Sequence, residues 1–284
     1  MAVLTDAENP RLTGTLFVVA TPIGNLADAS PRAIDTLRGV DLVACEDTRT
    51  TRTLLARHGI EARTVSLHEH NERVAANSLI QLLKNGRTVA LVSDAGTPGL
   101  SDPGAWLVAQ AHAAGIPVSP VPGPNAAAAA FSAAGFEADG FLFAGFLPTS
   151  GSARRKALDA LHVPWPVVLY EAPHRIGKTL AELAQRLGPD REAVICRELT
   201  KKFEEVARLR LGEAHAWLEA RPGRAQGEFV LVIAAGAAKP AAALDAERVL
   251  EVLRGALPPS EAAKLAARIT GLPKSLLYRK ALKG

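Results

Sequence analysis

Short apolar runs alternate with amphipathic helix patterns through the first half of this chain of 284 residues. Strands and helices that alternate in this way are typical of a parallel sheet with crossover helices. Helix start signals support the pattern, for example the N-cap residue Ser30 followed by Pro31. We therefore predict an α/β domain over residues 12–122, with strands at 15–20, 40–45, 63–67, 88–93 and 117–121.

The second half contains another set of apolar runs with a different pattern of helices. Strands are predicted at 141–146, 166–170, 193–197, 206–211 and 229–234, and helices near 152–161 and 174–187. No helical pattern lies between 193 and 211, which favours a mixed sheet over a parallel one. The sequence thus predicts a second α/β domain over 123–236, and a cleft between two domains favours ligand binding.

The loop 93–104 follows a buried strand-like run and is rich in Gly, Pro and Asp. Such a loop lets backbone groups approach a small ligand closely, and a side chain at Gly96 would crowd that ligand. It has neither the lysine of a P-loop nor a GxGxxG pattern. We expect a ligand held by backbone groups and carboxylates, with little phosphate. A plain strand-to-helix turn is the alternative.

The composition is that of an ordinary globular protein, with 48% hydrophobic and 22% charged residues. No apolar run approaches the roughly 20 residues of a membrane span, and the N-terminal segment has no secretory signal. Cys45 and Cys196 each lie in an apolar run, which fits buried thiols in a reducing cytoplasm. His68 and His70 lack the HExxH spacing of a zinc site. The sequence therefore predicts a cytoplasmic protein with no metal ion and no membrane partner.

The C-terminal tail holds the whole positive excess of the chain. Residues 239–284 contain nine Lys or Arg and four Asp or Glu, whereas the first 238 residues have a net charge of −1. An Ala-rich linker at 236–243 precedes predicted helices at 244–254, 261–270 and 274–282. The last two helices, around a Gly-containing turn, resemble a helix-turn-helix.

This predicted module of residues 243–284 has apolar and basic faces. The apolar side chains expected to point inward are Ala262, Leu265, Ala266, Ile269, Leu276, Leu277 and Ala281. Lys274, Arg279 and Lys280 are expected to contact the phosphates of a nucleic acid. A merely solvated helix face is the alternative.

Charged loops also follow several strands of the two predicted domains. In the loop 45–52, Glu46 or Asp47 is a candidate general base, and Arg49 is a candidate phosphate ligand. Helix capping by Asp47 and surface ion pairs are the alternative. Charged residues also follow strands at 170–175 and 197–205. Three charged loops at strand ends on a neutral body are hard to explain by solvation alone.

Six segments together resemble one family, although any one of them alone is a weak signal: 21–26, 46–49, 93–104, 122–125, 170–175 and 197–204. That family is ribosomal RNA small subunit methyltransferase I, a branch of the tetrapyrrole methylase superfamily. The resemblance extends from about Gly14 to Ala235, and the basic tail is similar to the C-terminal module of this branch. Asn125 departs from the family pattern, where we expect Ser or Thr.

The resemblance implies two α/β domains of the tetrapyrrole methylase type with a cleft between them, a small all-α helix-turn-helix-like module, and a homodimer. It also implies 2′-O-methylation of a cytidine in 16S rRNA of the small ribosomal subunit, with S-adenosylmethionine as the donor. The donor is expected in the cleft, at Pro22, Asp94, Ala95, Gly96, Leu100, Ser101, Asn125, Ala126, Tyr170, Glu171 and Ala172. The RNA is expected at Arg49, Lys202, Lys274, Arg279 and Lys280.

The catalytic group stays open at this point. A ribose hydroxyl is a poor nucleophile at neutral pH, so a nearby base or cation would help. Asp47, Lys201 and Glu204 are the candidates, and the sequence does not choose between them. Two other functions also stay open. A small-molecule methylase acting on a tetrapyrrole has no use for a basic tail, and a ligand-sensing, nucleic-acid-binding regulator has no need of charged strand-end loops.

Overall fold

The computed structural model describes residues 14–236 and 246–281. Its first sheet has five parallel strands in the order β3-β2-β4-β1-β5. The strands are β1 (Leu16–Val19), β2 (Leu42–Cys45), β3 (Thr64–Ser66), β4 (Val89–Val92) and β5 (Val118–Val121). All five predicted strands of the first half are confirmed, each within two residues at either end.

Helices cover both faces of this sheet. They are α1 (Pro31–Gly39), α2 (Thr48–Arg57), α3 (Glu72–Lys84) and α4 (Ala105–Ala113). Leu37 and Leu54 of α1 and α2 pack on one face, while Leu83 and Leu107 of α3 and α4 pack on the other. The central strand β4 is therefore buried on both faces, which explains its continuous apolar sequence.

The second sheet is mixed, as predicted, with the strand order β6-β7-β10-β8-β9. Its strands are β6 (Leu142–Phe146), β7 (Val167–Glu171), β8 (Glu192–Arg197), β9 (Glu205–Arg210) and β10 (Phe229–Ile233). The pair β6 and β7 is parallel, and the other neighbours are antiparallel. Because hairpin-type pairing needs no crossover helix, β8 and β9 follow each other directly.

Four helices accompany the second sheet: α5 (Ala126–Ala134), α6 (Gly151–Ala160), α7 (Ile176–Leu187) and α8 (Ala214–Glu219). The short helix α8 has no counterpart among the predicted elements. Helix α5 follows β5 in the chain but packs on the second sheet, where Ala127 and Ala130 contact its valines. This supports the predicted change of domain near residue 122, which stays a prediction.

The C-terminal module has its own small core. Helices α9 (Ala246–Arg254), α10 (Pro259–Thr270) and α11 (Lys274–Ala281) pack together around Leu250, Ala266 and Leu277. Gly271, at φ +72°, ends α10 in the left-handed conformation that favours glycine. Apart from Gly236, the predicted linker at 236–243 lies outside the described residues, as do the outer domain limits at residues 12, 243 and 284.

The prediction of the apolar face of this module is wrong for three of its residues. Leu265 and Ile269 are 37% and 46% exposed, and Leu276 is 39% exposed. The buried positions are filled by alanines because three short helices pack closely, which leaves the larger side chains at the rim. The side chain of Ala281 lies outside the described residues. Among the helices that the structure describes, none is long and apolar enough to cross a bilayer.

Candidate active site

The arrangement of the first sheet selects one place for a ligand. Strands β1 and β4 are neighbours, but the helices that follow them, α1 and α4, lie on opposite faces. This makes a topological switch point, where the loops after two parallel strands diverge and leave a crevice. The loops 21–26 and 93–104 start at this crevice. The predicted ligand loop is therefore at the position that the topology favours.

A pair of backbone hydrogen bonds holds these two loops together. Thr21 donates its N–H to the carbonyl of Gly96 at 2.8 Å, and Gly96 donates back to Thr21 at 3.1 Å. The Thr21 hydroxyl, which is buried, donates to the Ser93 carbonyl at 3.1 Å. One wall of the crevice is thus a fixed backbone surface.

A cavity of about 420 Å³ lies between this wall and the second sheet. It falls within the range of small-ligand sites. Nine of the predicted donor residues line it: Ala95, Gly96, Leu100, Ser101, Asn125, Ala126, Tyr170, Glu171 and Ala172. Sequence reasoning missed other lining residues, among them Ile23, Asp102, Phe146, Leu199 and Glu228. Asp102 lies in the predicted ligand loop 93–104, but its carboxyl group is not among the predicted site residues.

Gly96 fits the role of a close-approach glycine. Its φ of +84° is unfavourable for other residues, and a Cβ there would lie 3.3 Å from Ile23 Cγ2. Asn125, the departure from the family pattern, caps α5 as Ser or Thr would do. Its side-chain oxygen accepts from the N–H of Ala128 at 2.9 Å. The departure therefore leaves the local geometry intact.

Two predicted donor residues, Pro22 and Asp94, do not line this cavity, and their contact with the donor stays a prediction. Pro22 and Asp94 line a separate pocket of about 230 Å³ beside α2. One carboxylate oxygen of Asp94 accepts from the N–H of Asp47 at 3.0 Å and so joins the loops after β2 and β4. The two residues follow β1 and β4, as predicted, but they lie on the side of the joined loops that faces α2 and not the cavity. No sequence pattern indicates that direction.

Glu171 lines the cavity, but its carboxylate points into the protein core, with a fully buried side chain. It accepts from the Thr179 hydroxyl at 2.5 Å, the N–H of Ala172 at 2.9 Å and the Arg175 guanidinium at 3.0 Å. A buried charge needs partners of this kind. This carboxylate therefore positions the turn 171–175 at the cavity edge. Glu171 stays a predicted donor residue, with its backbone as the part that can face the ligand.

Asp47 is the N-cap of α2, as the capping alternative predicts. Its carboxylate accepts from the backbone N–H of Arg49 at 2.8 Å and forms an ion pair with the Arg49 guanidinium at 2.6 Å. The side-chain and backbone hydrogen bonds from Arg49 lower the pKa of Asp47 to about 2. A carboxylate with this pKa is a weak base, so the geometry disfavours Asp47 as a proton acceptor. Arg49 is exposed but already paired.

Lys201 lies across the cleft from the first domain. Its ammonium bonds Glu198 at 2.9 Å and Glu228 at 3.0 Å. Burial lowers its pKa, but the hydrogen bonds with these carboxylates outweigh that effect and hold the pKa above its ordinary value. Lys201 is therefore a cation at neutral pH. A Cβ on Gly24 would lie 2.5 Å from Lys201 Cγ, so the β8–β9 loop touches the loop after β1.

Glu204 and Lys202 belong to a different surface, a groove of about 530 Å³ at the tip of the β8–β9 hairpin. Glu204 accepts from the N–H of Thr200 at 2.6 Å, which stabilises the loop. The Lys202 ammonium lies 5.5 Å from the ring centre of Phe203, which is 64% exposed. Lys274 and Arg279 are exposed on α11, and the side chain of Lys280 lies outside the described residues.

Asp102 is a carboxyl group of the cavity wall that no cation of the described residues pairs with. Burial and the charges of Glu46 and Asp94 together raise its pKa to about 6, while an interaction with the Ser93 hydroxyl acts in the opposite direction. Among the ion pairs of the described residues none involves Asp102. Within the same residues no group of three or more His, Cys, Asp or Glu side chains is arranged to hold a metal ion.

Comparison with known proteins defines the class of this fold. The family model of Tetrapyrrole (Corrin/Porphyrin) Methylases matches residues 15–215, and the model of the RsmI C-terminal HTH domain matches residues 240–284. A solved structure of uroporphyrin-III C-methyltransferase from Thermus thermophilus, complexed with S-adenosyl homocysteine, aligns with a TM-score of 0.53 at 18% identity. It covers 77% of this chain and 96% of the other chain. The two α/β domains thus have the tetrapyrrole methylase fold.

Comparison with curated protein sequences identifies the family within this fold class. Ribosomal RNA small subunit methyltransferase I of Pseudomonas aeruginosa is 49% identical over 273 residues, which is 95% of this chain and 97% of the relative. The protein of the same name from Escherichia coli O157:H7 is 45% identical over 282 residues, covering 98% and 97%. The chain belongs to the ribosomal RNA small subunit methyltransferase I family.

Proposed function

We propose that this protein transfers a methyl group from S-adenosylmethionine to the 2′-hydroxyl of a cytidine in 16S rRNA of the small ribosomal subunit. The observation that carries the proposal is the cavity at the β1/β4 switch point, which is walled by both domains. Membership of a family of small-subunit rRNA methyltransferases supports the choice of reaction. The basic C-terminal module supports RNA as the substrate.

The cavity suits a donor that carries little phosphate. Its walls are mostly backbone and apolar side chains, together with the carboxyl groups of Asp102 and Glu228. The N-terminus of α5 at Asn125 and the aromatic ring of Tyr170 lie on the second-domain side. When bound, S-adenosylmethionine supplies an already activated methyl group. The residues around it then have to orient the reacting atoms at about 3–3.5 Å, a task that is worth several kcal/mol by itself. Pro22 and Asp94 would contribute by holding the loops.

Two surfaces would hold the RNA. One is the tip of the β8–β9 hairpin, where Lys202 and exposed Phe203 present a charge and a ring. The other is α11 with its cations Lys274, Arg279 and Lys280. Among the catalytic candidates, Lys201 lies where the hairpin touches the first domain, and its ammonium would stabilise charge that develops on the substrate oxygen. Asp47 and Glu204 stay catalytic candidates, and Arg49 stays a candidate RNA ligand, for variants to test.

We also propose a homodimer that acts in the cytoplasm, where a ribosomal substrate is found. Helices α3 and α4 pack side by side and expose Val74 and Trp106, which are 75% and 40% accessible. The Arg73 guanidinium lies 5.0 Å from the Trp106 ring centre. A second copy would cover these apolar groups. Sedimentation velocity should show a dimer at micromolar concentration, and Val74→Glu should shift it towards monomer. A monomeric wild-type protein contradicts this part of the proposal.

The test of the reaction uses S-adenosylmethionine labelled in its methyl group. Four acceptors are compared: isolated small ribosomal subunits, free 16S rRNA, a tetrapyrrole precursor and duplex DNA. We expect label on the ribose of a cytidine in rRNA, as shown by nuclease digestion and mass spectrometry. Label on the tetrapyrrole would instead identify a small-molecule methylase. Binding of DNA without any transfer would identify a regulator.

A further inference from the structure

Asp102 occupies a fixed position between the two domains. The residue before it, Ser101, has φ +68°, a left-handed conformation that is costly for a residue with a side chain. A Cβ on Gly145 of β6 would lie 2.9 Å from the Ser101 hydroxyl oxygen, so the loop abuts the second sheet here. The 101–102 segment of the first domain is thus packed against the second domain. Asp102 follows as part of the cavity wall.

The groups that face Asp102 are acidic or neutral. The Ser93 hydroxyl at the end of β4 hydrogen-bonds it, the carboxylates of Glu46 and Asp94 act on it from the ends of β2 and β4, and its charge acts on Tyr170 of β7. No lysine, arginine or histidine of the described residues contributes to its charge environment. Asp102 therefore differs from Asp47, which Arg49 neutralises.

A carboxylate in this setting holds a proton more readily than an ordinary aspartate. Burial and the neighbouring negative charges disfavour its ionised form, which is the reason for a pKa of about 6. At neutral pH Asp102 is still mostly ionised, and it can accept a proton. A general base works best when its pKa lies near the working pH.

We propose that Asp102 is the general base that takes the proton from the target ribose hydroxyl, an inference that rests on the proposed function. In this step the hydroxyl oxygen forms a bond to the methyl carbon while the carbon–sulfur bond breaks. The electron pair of that bond stays on sulfur, which becomes a neutral thioether. The hydroxyl proton passes to the Asp102 carboxylate, and water then removes it.

The experiment compares Asp102→Asn with wild type and with Asp139→Asn, an exposed aspartate of the second domain that serves as the matched control. Asn has nearly the same size and shape as Asp, so this variant removes the proton-accepting carboxylate while the local packing is kept. We expect the single-turnover methylation rate to fall by about 100-fold or more, with donor affinity by calorimetry within threefold of wild type. The control should retain both rate and affinity.

A second variant tests the inference even if Asp102→Asn does not fold. Removing the charge of Glu46 with Glu46→Gln should lower the pKa of Asp102, because one of the neighbouring charges is gone. Carbon-13 NMR of labelled aspartate in the protein without donor should show one carboxyl titrating near pH 6, absent in Asp102→Asn and shifted down in Glu46→Gln. The acidic limb of the methylation rate should shift in the same direction.

The possible results separate the two proposals. Absence of RNA methylation by wild type overturns the proposed function, whatever the NMR titration shows. An active wild type with an equally active Asp102→Asn overturns the role of Asp102 alone. A rate profile that stays fixed while Glu46→Gln moves the NMR titration also overturns it, because the titrating carboxyl would then not be the base.

Discussion

Two glycines of the loop 93–104 allow the effect of strain to be separated from the effect of crowding the ligand. Gly96 and Gly99 have nearly the same φ, +84° and +81°. A Cβ at Gly96 would meet Ile23 Cγ2 at 3.3 Å, at the cavity wall, whereas a Cβ at Gly99 would meet nothing within 4 Å. Gly99→Ala is therefore a matched control for Gly96→Ala.

The expected magnitudes follow from these two environments. Each alanine in a left-handed conformation costs about 1–2 kcal/mol of stability, so both variants should lose a few degrees of melting temperature. Only the Gly96 methyl occupies space beside the cavity. A displacement of the donor there should weaken its binding by at least tenfold, which corresponds to about 1.4 kcal/mol.

Isothermal titration calorimetry with S-adenosylmethionine and thermal unfolding of both variants check this. The expected result is a similar loss of melting temperature in the two proteins and a loss of donor affinity in Gly96→Ala alone. A donor affinity of Gly96→Ala equal to that of wild type would refute the placement of the donor against Gly96. An equal loss in both variants would show that loop strain, not proximity to the ligand, controls binding.

Three further predictions concern the charged parts of the molecule. Lys201→Met should lower the methylation rate by about tenfold or more with little change in donor affinity. Asp47→Asn, which keeps the helix cap, should lower the rate less. Equal single-turnover rates for the two variants would contradict this. Glu171→Gln should destabilise the protein by about 3 kcal/mol in denaturant unfolding, because it removes the buried negative charge that pairs with Arg175; an unchanged unfolding midpoint would show that the network is dispensable. Truncation after residue 236 should leave donor binding intact but weaken RNA binding, and alanines at the three α11 cations should reduce the salt slope by about one per lost phosphate contact; equal RNA binding at low and high salt would exclude the tail as the anchor.

The strands and their order of appearance could be predicted because each depends on a local pattern. The run at 88–93 is apolar at every position because both faces of β4 are covered, and such a signal survives whatever surrounds it. The same holds for the loop 93–104, whose glycines and prolines indicate a ligand loop directly. Helix α8, with six residues, is too short for a periodic pattern to stand out.

Side-chain direction could not be predicted in the same way. Pro22 and Asp94 sit in the predicted loops but face the smaller pocket, because the Thr21–Gly96 bridge turns the chain there. Glu171 lies at the cavity edge, but its carboxylate points into the core, where it bonds the Thr179 hydroxyl and the Arg175 guanidinium. The first outcome depends on a contact between residues that are distant in sequence. The second depends on which nearby side chains the buried carboxylate reaches in the folded protein. No pattern in a single sequence contains either of them.

The strained positions of the backbone show why the cleft in particular escapes sequence reasoning. Among the described residues, Ser101, Glu198 and Thr200 are the non-glycine residues with positive φ, at +68°, +53° and +65°. Each conformation costs on the order of 1–3 kcal/mol and persists only where the surroundings enforce it. Ser101 is held against Gly145 of β6, and the Glu198 carboxylate is held by Lys201 and the N–H of Glu228. The strain at Ser101 is thus maintained by contact with the second domain, and that at Glu198 partly by Glu228, which is 30 positions away in the chain. The sequence of neither loop alone reveals these contacts.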